Sequence, residues 1–414
     1  MFGLLGKSLS HSLSKTVHTT LNPDMAYHLY ETDDVAAFLS SHTFKGINVT
    51  IPYKQTVRKH LDKEDDSVRK TGVVNTVVNQ DGTLIGYNTD FLALKSLLPE
   101  QLPNNLSSKI GILGNGATMR SVRQALFETD RRNIAIYARN PQGSEWTFSE
   151  IDPDTDVLIN TTPVGMYPDN DARLPIDLDA FHNLKLIIDL IYNPLRTNLM
   201  LDGTIRNIKT YNGLPLLIKQ AALTQEIFFG KAPTYALEAL KVSLDESLRN
   251  FVLIGLSFSG KSHYARILES MTGKKLIDVD WLIGETENMS VADIFQQKGE
   301  SYFRDVERRI SLKHARDHGQ IIATGAGVIH NDAVIRALKQ NGILIHLDLD
   351  ERLIERMDLT GRPLIKAKSD WLRHREARDP LYKLHADLII KKDTLDETVI
   401  LKRIEEAIHA YLNR

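Results

Sequence analysis

Gly255-Leu256-Ser257-Phe258-Ser259-Gly260-Lys261-Ser262 constrains the fold more tightly than any other stretch of the chain. It follows an apolar run of strand type, Phe251 to Ile254, and precedes a helix-period segment, His263 to Met271. Strand, turn and helix in that order are the context in which G-x-x-x-x-G-K-[ST] carries meaning. A glycine-containing turn aims successive N–H groups at an anion, and the following helix N-terminus adds positive potential. In such a turn Gly255, Ser259 and Gly260 shape the cradle. Lys261 neutralises β- and γ-phosphates and Ser262 ligates Mg²⁺.

The rest of the chain repeats the strand-and-helix theme, which predicts α/β domains with mostly parallel sheets. Phe2 to Leu5, Tyr27 to Tyr30 and Ile47 to Ile51 read as strands. Val73 to Val78 and Thr83 to Tyr87 flank Asn79-Gln80-Asp81-Gly82, a hairpin turn. A second series opens at Lys109 to Leu113 and continues through Ile134 to Tyr137, Val157 to Ile159 and Leu186 to Leu190. Leu214 to Phe229 has helical periodicity. The polar stretch Ser243 to Asn250 reads as a linker, which puts the main boundary at residues 243–250. A length of 414 residues agrees with two or three domains. A net charge of -2 gives no bulk electrostatic case for nucleic acid or an anionic membrane. The absence of cysteine excludes disulfides, thiolate metal sites and cysteine nucleophiles. No signal-peptide pattern opens the sequence and no apolar run is long enough to span a bilayer, so a cytoplasmic location is expected. Oligomeric state is not legible at this level.

In the second part, Asp278-Val279-Asp280 follows a short apolar stretch, where a strand end would face the phosphate turn. Alternate strand residues point the same way, so both carboxylates are expected at one site, one toward Mg²⁺ and one toward a hydroxyl proton. Phe303-Arg304-Asp305-Val306-Glu307, Ala323-Thr324-Gly325-Ala326-Gly327, Gly361-Arg362-Pro363-Leu364 and Arg378-Asp379-Pro380-Leu381-Tyr382 follow in order. This series resembles shikimate kinase from about residue 251 to the end. The resemblance implies ATP- and Mg²⁺-dependent phosphorylation of the shikimate 3-hydroxyl. It implies Asp280 at that hydroxyl, Arg304 and Arg378 on the carboxylate, and Gly325, Ala326 and Gly327 as the turn beside the substrate. It further implies Arg362 as a lid arginine and Asp278 with Ser262 at the metal. Two positions depart from the family: Phe258 and Ala326 stand where glycine is usual.

In the first part, Ser12-Leu13-Ser14 follows a strand and can present two hydroxyls, or Ser14 can cap a helix. Asn48 to Lys54 is a strand run stopped by Pro52, and Gly86-Tyr87-Asn88-Thr89-Asp90 ends the hairpin with a carboxylate. Lys54 and Asp90 at the ends of separate strands would form an acid–base pair if they met. Lys109 to Ala117 is a strand ending in a Gly114-Asn115-Gly116-Ala117 turn before a helix, a dinucleotide-type pattern. At the end of the next strand Ala138-Arg139-Asn140 replaces the usual ribose-binding acid; an arginine there suits the 2′-phosphate of NADP.

These motifs, with Val74-Asn75-Thr76, Asn160 to Met166, Asp189 to Pro194 and Gly213 to Gln220, resemble shikimate dehydrogenase over about residues 1–242. The resemblance implies reversible reduction of 3-dehydroshikimate to shikimate with NADP(H). Lys54 and Asp90 match its catalytic pair, and Ser12, Ser14, Thr50, Asn75, Tyr192 and Gln220 its substrate ligands. Gly114, Asn115, Gly116, Ala117, Arg139 and Gly213 match its cofactor site. The implied fold is a discontinuous substrate domain, about 1–95 and 213–242, around a Rossmann-like dinucleotide domain, about 96–212, with a phosphate-loop kinase domain over 251–414. The alternatives are a ligand-binding sensor or regulator, and an active dehydrogenase with a weak kinase domain.

Overall fold

Short runs of branched and aliphatic residues make the strands, and in two of the three sheets every pairing is parallel. The computed structural model describes residues 1–41, 43–357, 365 and 367–413. The chain divides into two units, Met1–Tyr192 with Thr197–Lys241, and Asn193–Arg196 with Val242–Arg414. Among the described residues no helix is long and apolar enough to cross a membrane.

The first unit holds two sheets. One comprises β1 (Phe2–Gly6), β2 (Tyr27–Glu31), β3 (Gly46–Val49), β4 (Lys63–Glu64), β5 (Thr76–Gln80) and β6 (Thr83–Tyr87). Its order is β2-β1-β3-β5-β6-β4. The β5–β6 pair is an antiparallel hairpin, closed by Asp81 and Gly82 at φ 51° and 89°. Two successive positive φ values match the right-handed twist of the flanking strands. The other sheet comprises β7 (Ile110–Leu113), β8 (Ile134–Tyr137), β9 (Val157–Asn160), β10 (Leu186–Asp189) and β11 (Lys209–Tyr211), in the order β11-β10-β9-β7-β8. All its pairings are parallel, and β7, β9 and β10 are buried along their whole length.

The second unit has one parallel sheet: β12 (Asn250–Ile254), β13 (Lys275–Asp278), β14 (Gln320–Ala323), β15 (Gly342–Leu349) and β16 (Leu388–Lys392). The order β13-β14-β12-β15-β16 puts the strand that feeds the phosphate turn at the centre. Apolar clusters cover the sheet, one centred on Trp371 and Tyr382 and another on Phe251 and Ile404.

The structure corrects three readings. Residues 243–250 are not a linker. A helix runs through Leu237–Leu248, and β12 begins at Asn250. The stretch looks polar, but Leu240, Leu244 and Leu248 fall four residues apart on one buried stripe. The strand before Asp280 ends at Asp278, whose carboxylate caps the helix Val279–Glu287 by accepting from the Trp281 N–H at 3.2 Å. Asp278 and Asp280 are therefore a cap and a first-turn residue, not alternating strand positions. Finally, β3 stops at Val49, because the chain turns at once into the Pro52 segment, where the Tyr53 N–H donates to the Thr50 carbonyl at 2.9 Å.

Buried polar contacts join the two sheets of the first unit. The Asn88 oxygen caps the helix Thr89–Gln101 at the Phe91 N–H, 3.0 Å away. Its amide nitrogen donates to Thr71 Oγ1 and Ser121 Oγ, each at 2.9 Å. Asn88 and Ser121 are fully buried, so water cannot replace a lost partner. Asn88→Ala removes a cap and takes the amide partner from the buried Ser121 hydroxyl. It should cost about 2–3 kcal/mol, seen as a lower unfolding temperature of the first unit. His18 gives a pH dependence. Burial against Tyr27, on which its ring stacks with centroids 4.4 Å apart, lowers its pKa to about 3. The unfolded chain takes up this proton near pH 6.5, before the folded one does. Stability is thus complete above that pH and lost as pH falls toward 3. The melting temperature of the first unit should fall across this window, and His18→Phe should flatten the fall.

Candidate active sites

In the first unit the polar residues gather where strands of the mixed sheet end. Lys54 Nζ lies 2.6 Å from Asp90 Oδ2, and both side chains are largely buried. The two residues come from different segments. Lys54 follows the Pro52 turn, and its carbonyl accepts from the Val74 N–H at 2.8 Å, while Asp90 is in the first turn of the helix Thr89–Gln101. The two residues, whose meeting the sequence left open, are in contact. Beside it, the Asn75 amide donates to Thr89 Oγ1 at 2.9 Å and its oxygen accepts from the Thr89 N–H at 2.7 Å. Gln220 on the helix Leu214–Phe229 reaches the same hydroxyl, with its oxygen accepting at 3.5 Å.

Ser12 and Ser14 form a second group, with their hydroxyls 3.1 Å apart. Ser14 is the first helical residue, and Leu13, not Ser14, occupies the cap position. Burial pushes the Tyr192 phenol up, opposed by hydrogen bonds with the Leu13 backbone and the Ser12 side chain. Thr50 is half-buried, with its N–H donating to the Leu5 carbonyl at 2.9 Å. Sequence reasoning missed Thr224. It sits one helical turn beyond Gln220, 3.1 Å from Asn48 Nδ2 and 3.2 Å from Thr89 Oγ1. The i, i+4 spacing from Gln220 was the available signal.

The dinucleotide-type turn lies at the end of β7. Gly114 has φ 101°, and a side chain there would press on Thr161 and Thr162 at 3.0 and 2.8 Å. Gly116 caps the helix Ala117–Glu128 without any side-chain hydrogen bond, and no atom lies within 4 Å of where its Cβ would stand. A helix N-terminus behind a glycine turn of this kind suits an anion. Gly213 begins the helix Leu214–Phe229 so close to Leu190 that a Cβ would lie 2.0 Å from its carbonyl oxygen. Asp189, at the end of β10, is wholly buried, and burial raises its carboxyl to about 6 against hydrogen bonds from Thr197, the Ile191 N–H and Asn160. Arg139 is exposed beyond β8.

In the second unit an open cavity of about 60 Å³ is lined by Asp280, Phe303, Arg304, Glu307, Gly325 and Arg378, among others. Arg304 is held by Glu307 at 2.8 Å and Glu300 at 3.1 Å. Burial lowers the Arg378 pKa, and Arg304 nearby lowers it further. Two close, partly desolvated guanidiniums are a site for an anion. A side chain at Gly325 would meet Glu307 Oε1, and one at Gly327 would meet Arg304 Nη1, each at 2.0 Å, so a larger residue at either place would push that glutamate or arginine aside. Ala326 between them is not among the residues with positive φ, and its carbonyl accepts from Tyr382 Oη at 2.6 Å. Alanine is therefore unstrained there. Glu307, which sequence reasoning left without a role, was signalled by its i+3 position after Arg304.

The phosphate turn lies between β12 and the helix Lys261–Thr272, with Gly255 and Gly260 at φ 145° and 95°. Lys261 Nζ donates to the Gly255 and Leu256 carbonyls at 2.9 and 3.0 Å, and Lys392 Nζ donates to the Ser259 carbonyl at 3.2 Å. The Trp371 indole, fully buried, donates to the Ser257 carbonyl at 3.1 Å. Arg362 lies outside the described residues. His346, Asp348 and Asp379 could offer ligand atoms within 4.8 Å of one another. Arg375 and Lys383 already sit 3.4 and 2.6 Å from the two carboxylates, so their charge is met without a metal.

The comparisons with known proteins agree with the two halves. Residues 4–77 match the shikimate dehydrogenase substrate binding domain, and residues 258–409 match shikimate kinase. A Clostridium beijerinckii shikimate dehydrogenase (NADP(+)) is 36% identical over 246 residues, 55% of this chain and 91% of its own length. One from Geobacillus kaustophilus is 32% identical over 275 residues, 60% of this chain and 99% of its own. The crystal structure of shikimate dehydrogenase 1 from Peptoclostridium difficile superposes with a TM-score of 0.54 at 29% identity, covering 59% of this chain and 97% of that one. Fold and sites thus define an α/β enzyme of two parts, an oxidoreductase and a phosphotransferase. The chain belongs to the shikimate dehydrogenase family and carries a shikimate kinase domain after it.

Phe258 is the local oddity of the phosphate turn. It holds φ 69°, a conformation that costs a Cβ-bearing residue about 1 kcal/mol, and its ring packs on the apolar cluster of this unit. Removing the ring by Phe258→Ala keeps that strain, whereas Phe258→Gly loses the same packing and relieves it. The glycine variant should be the more stable of the two by about 1 kcal/mol in denaturant unfolding.

Proposed function

We propose that the chain catalyses two consecutive steps: NADPH-dependent reduction of 3-dehydroshikimate to shikimate, then MgATP-dependent phosphorylation of shikimate to shikimate 3-phosphate. The observation that carries this reading is the pairing of Lys54 with Asp90 at 2.6 Å in one unit, and the two-arginine cavity ending on Asp280 in the other. The product of the first site carries the carboxylate and hydroxyls that the second is equipped to hold.

In the first unit, the nicotinamide supplies the hydride when bound. The chain's own residues then need only hold the ketone and move one proton. Ser12, Ser14, Thr50, Asn75, Tyr192 and Gln220 supply hydroxyl and amide groups for the substrate's oxygens. Lys54 Nζ and Asp90 hold the proton that the ketone oxygen takes up. Gly114 to Ala117 cradle the pyrophosphate with Gly213 near the helix that completes the site, and Arg139 meets the 2′-phosphate.

In the second unit, Arg304 and Arg378 take the substrate carboxylate, and Gly325, Ala326 and Gly327 line its ring. Asp280 accepts the proton of the attacking hydroxyl as the phosphoryl group is transferred from ATP. Gly255, Ser259 and Gly260 form the phosphate cradle with Lys261, and Arg362 serves as the lid arginine. Ser262 and Asp278 offer the hard oxygen donors that suit Mg²⁺.

A coupled assay tests this reading. Dehydroshikimate, NADPH and MgATP should yield shikimate 3-phosphate. Lys54→Ala should stop only the first step, and Asp280→Asn should slow only the second, by about 100-fold or more. Purified protein that converts neither substrate would sink the proposal.

A further inference from the structure

The end of β8 carries an acid that its sequence position conceals. β8 stops at Tyr137, and the residues directly after it are Ala138, Arg139 and Asn140, with no carboxylate. The chain then turns through Gly143, at φ 61°, and comes back alongside the strand. The Trp146 N–H donates to the Ile136 carbonyl at 2.9 Å, and the Ala138 N–H donates to the Trp146 carbonyl at 2.8 Å. This return places Glu145 beside the tip of β8. Its Oε2 accepts from Asn115 Nδ2 at 2.9 Å and from the Gln142 N–H at 2.8 Å. Asn115 stands between the two glycines of the dinucleotide-type turn, and its amide also donates to the Asn140 carbonyl at 3.0 Å. The carboxylate is thereby pinned between that turn and the end of the next strand. In a Rossmann-like site this is where an acid reads the adenosine ribose.

We propose that Glu145 is a cofactor-selecting residue of the dehydrogenase unit, acting against Arg139, so that the site accepts both NAD and NADP. This rests on the reading above that the unit binds a nicotinamide dinucleotide. Among the described residues no lysine or arginine pairs with Glu145, and no carboxylate pairs with Arg139. Neither is engaged by an ion pair among those residues, so both are available to a ligand. The guanidinium favours a 2′-phosphate. The carboxylate accepts hydrogen bonds from a 2′,3′-diol and repels a phosphate dianion. An arginine alone would select NADP, and an acid alone would select NAD. Both together remove the large preference that either creates.

Isothermal titration of the full chain with NADP⁺ and with NAD⁺, without substrate, reads the selection directly as a ratio of Kd values. The wild-type ratio should lie within about tenfold of unity. Glu145→Gln keeps an oxygen for Asn115 and Gln142 but removes the charge. It should weaken NAD⁺ by about tenfold and leave NADP⁺ equal or tighter. Arg139→Ala should weaken NADP⁺ alone. If Glu145→Gln changes both affinities by the same factor, the residue only tethers the turn and the proposal is wrong. A wild-type chain that binds neither dinucleotide overturns the underlying cofactor reading as well.

Discussion

A parallel strand must hand its chain to a helix at its carboxyl end, and the first N–H groups of that helix have no partner inside it. The nucleotide chemistry of this chain depends on that constraint. β7 gives way to the helix Ala117–Glu128 across Gly114 to Gly116, and β12 gives way to the helix Lys261–Thr272 across Gly255 to Gly260. In both places glycine lets the backbone turn sharply enough to leave donors exposed, with positive φ at Gly114, Gly255 and Gly260. The same geometry serves two chemistries because what surrounds it differs. A lysine folds over the second turn, whereas an asparagine and a glutamate brace the first.

The groups proposed to react are held by a different device. Around Lys54 and Asp90 the chain buries hydroxyls and amides that satisfy one another: Asn48, Asn75, Thr76, Thr89 and Thr224. A network of this kind costs little when complete and much when one member is lost, so it fixes the approach of the strands to the helix Leu214–Phe229. The kinase cavity uses charge for the same end. Glu300 and Glu307 orient Arg304, and the Tyr382 hydroxyl and Arg378 both meet the Ala326 carbonyl.

Much of this was legible in the sequence because it depends on local pattern. Strands β7 to β10 of the first parallel sheet, the central strand β12 of the second, the hairpin and the two turns follow from apolar runs and glycine placement. The sequence left it open whether Lys54 and Asp90 meet, and only the fold shows that the contact forms. The failures share a physical cause, which is that a residue's neighbours are set by chain return rather than by spacing. Glu145 lies past the strand end where an acid would be sought, and a reversing loop brings it back. Asp278 and Asp280 sit across a strand-to-helix boundary, where the two-residue period no longer holds. The helix Leu237–Leu248 was masked by its polar face, and the three leucines of its buried stripe were too sparse to stand out.

Asn48 and Thr224 lie 176 residues apart in sequence. A ribosome adding about 5–20 residues per second needs roughly 9–35 s to span that interval. Once Tyr87 has been added, and for the rest of that interval, the mixed sheet β1–β6 has been made, but its polar floor lacks the hydroxyl that completes it. The sheet β7–β11 is synthesised wholly within the gap and closes among near neighbours. Vectorial synthesis therefore favours maturation of the nucleotide half before the older substrate half, which is finished only when the returning helix has emerged.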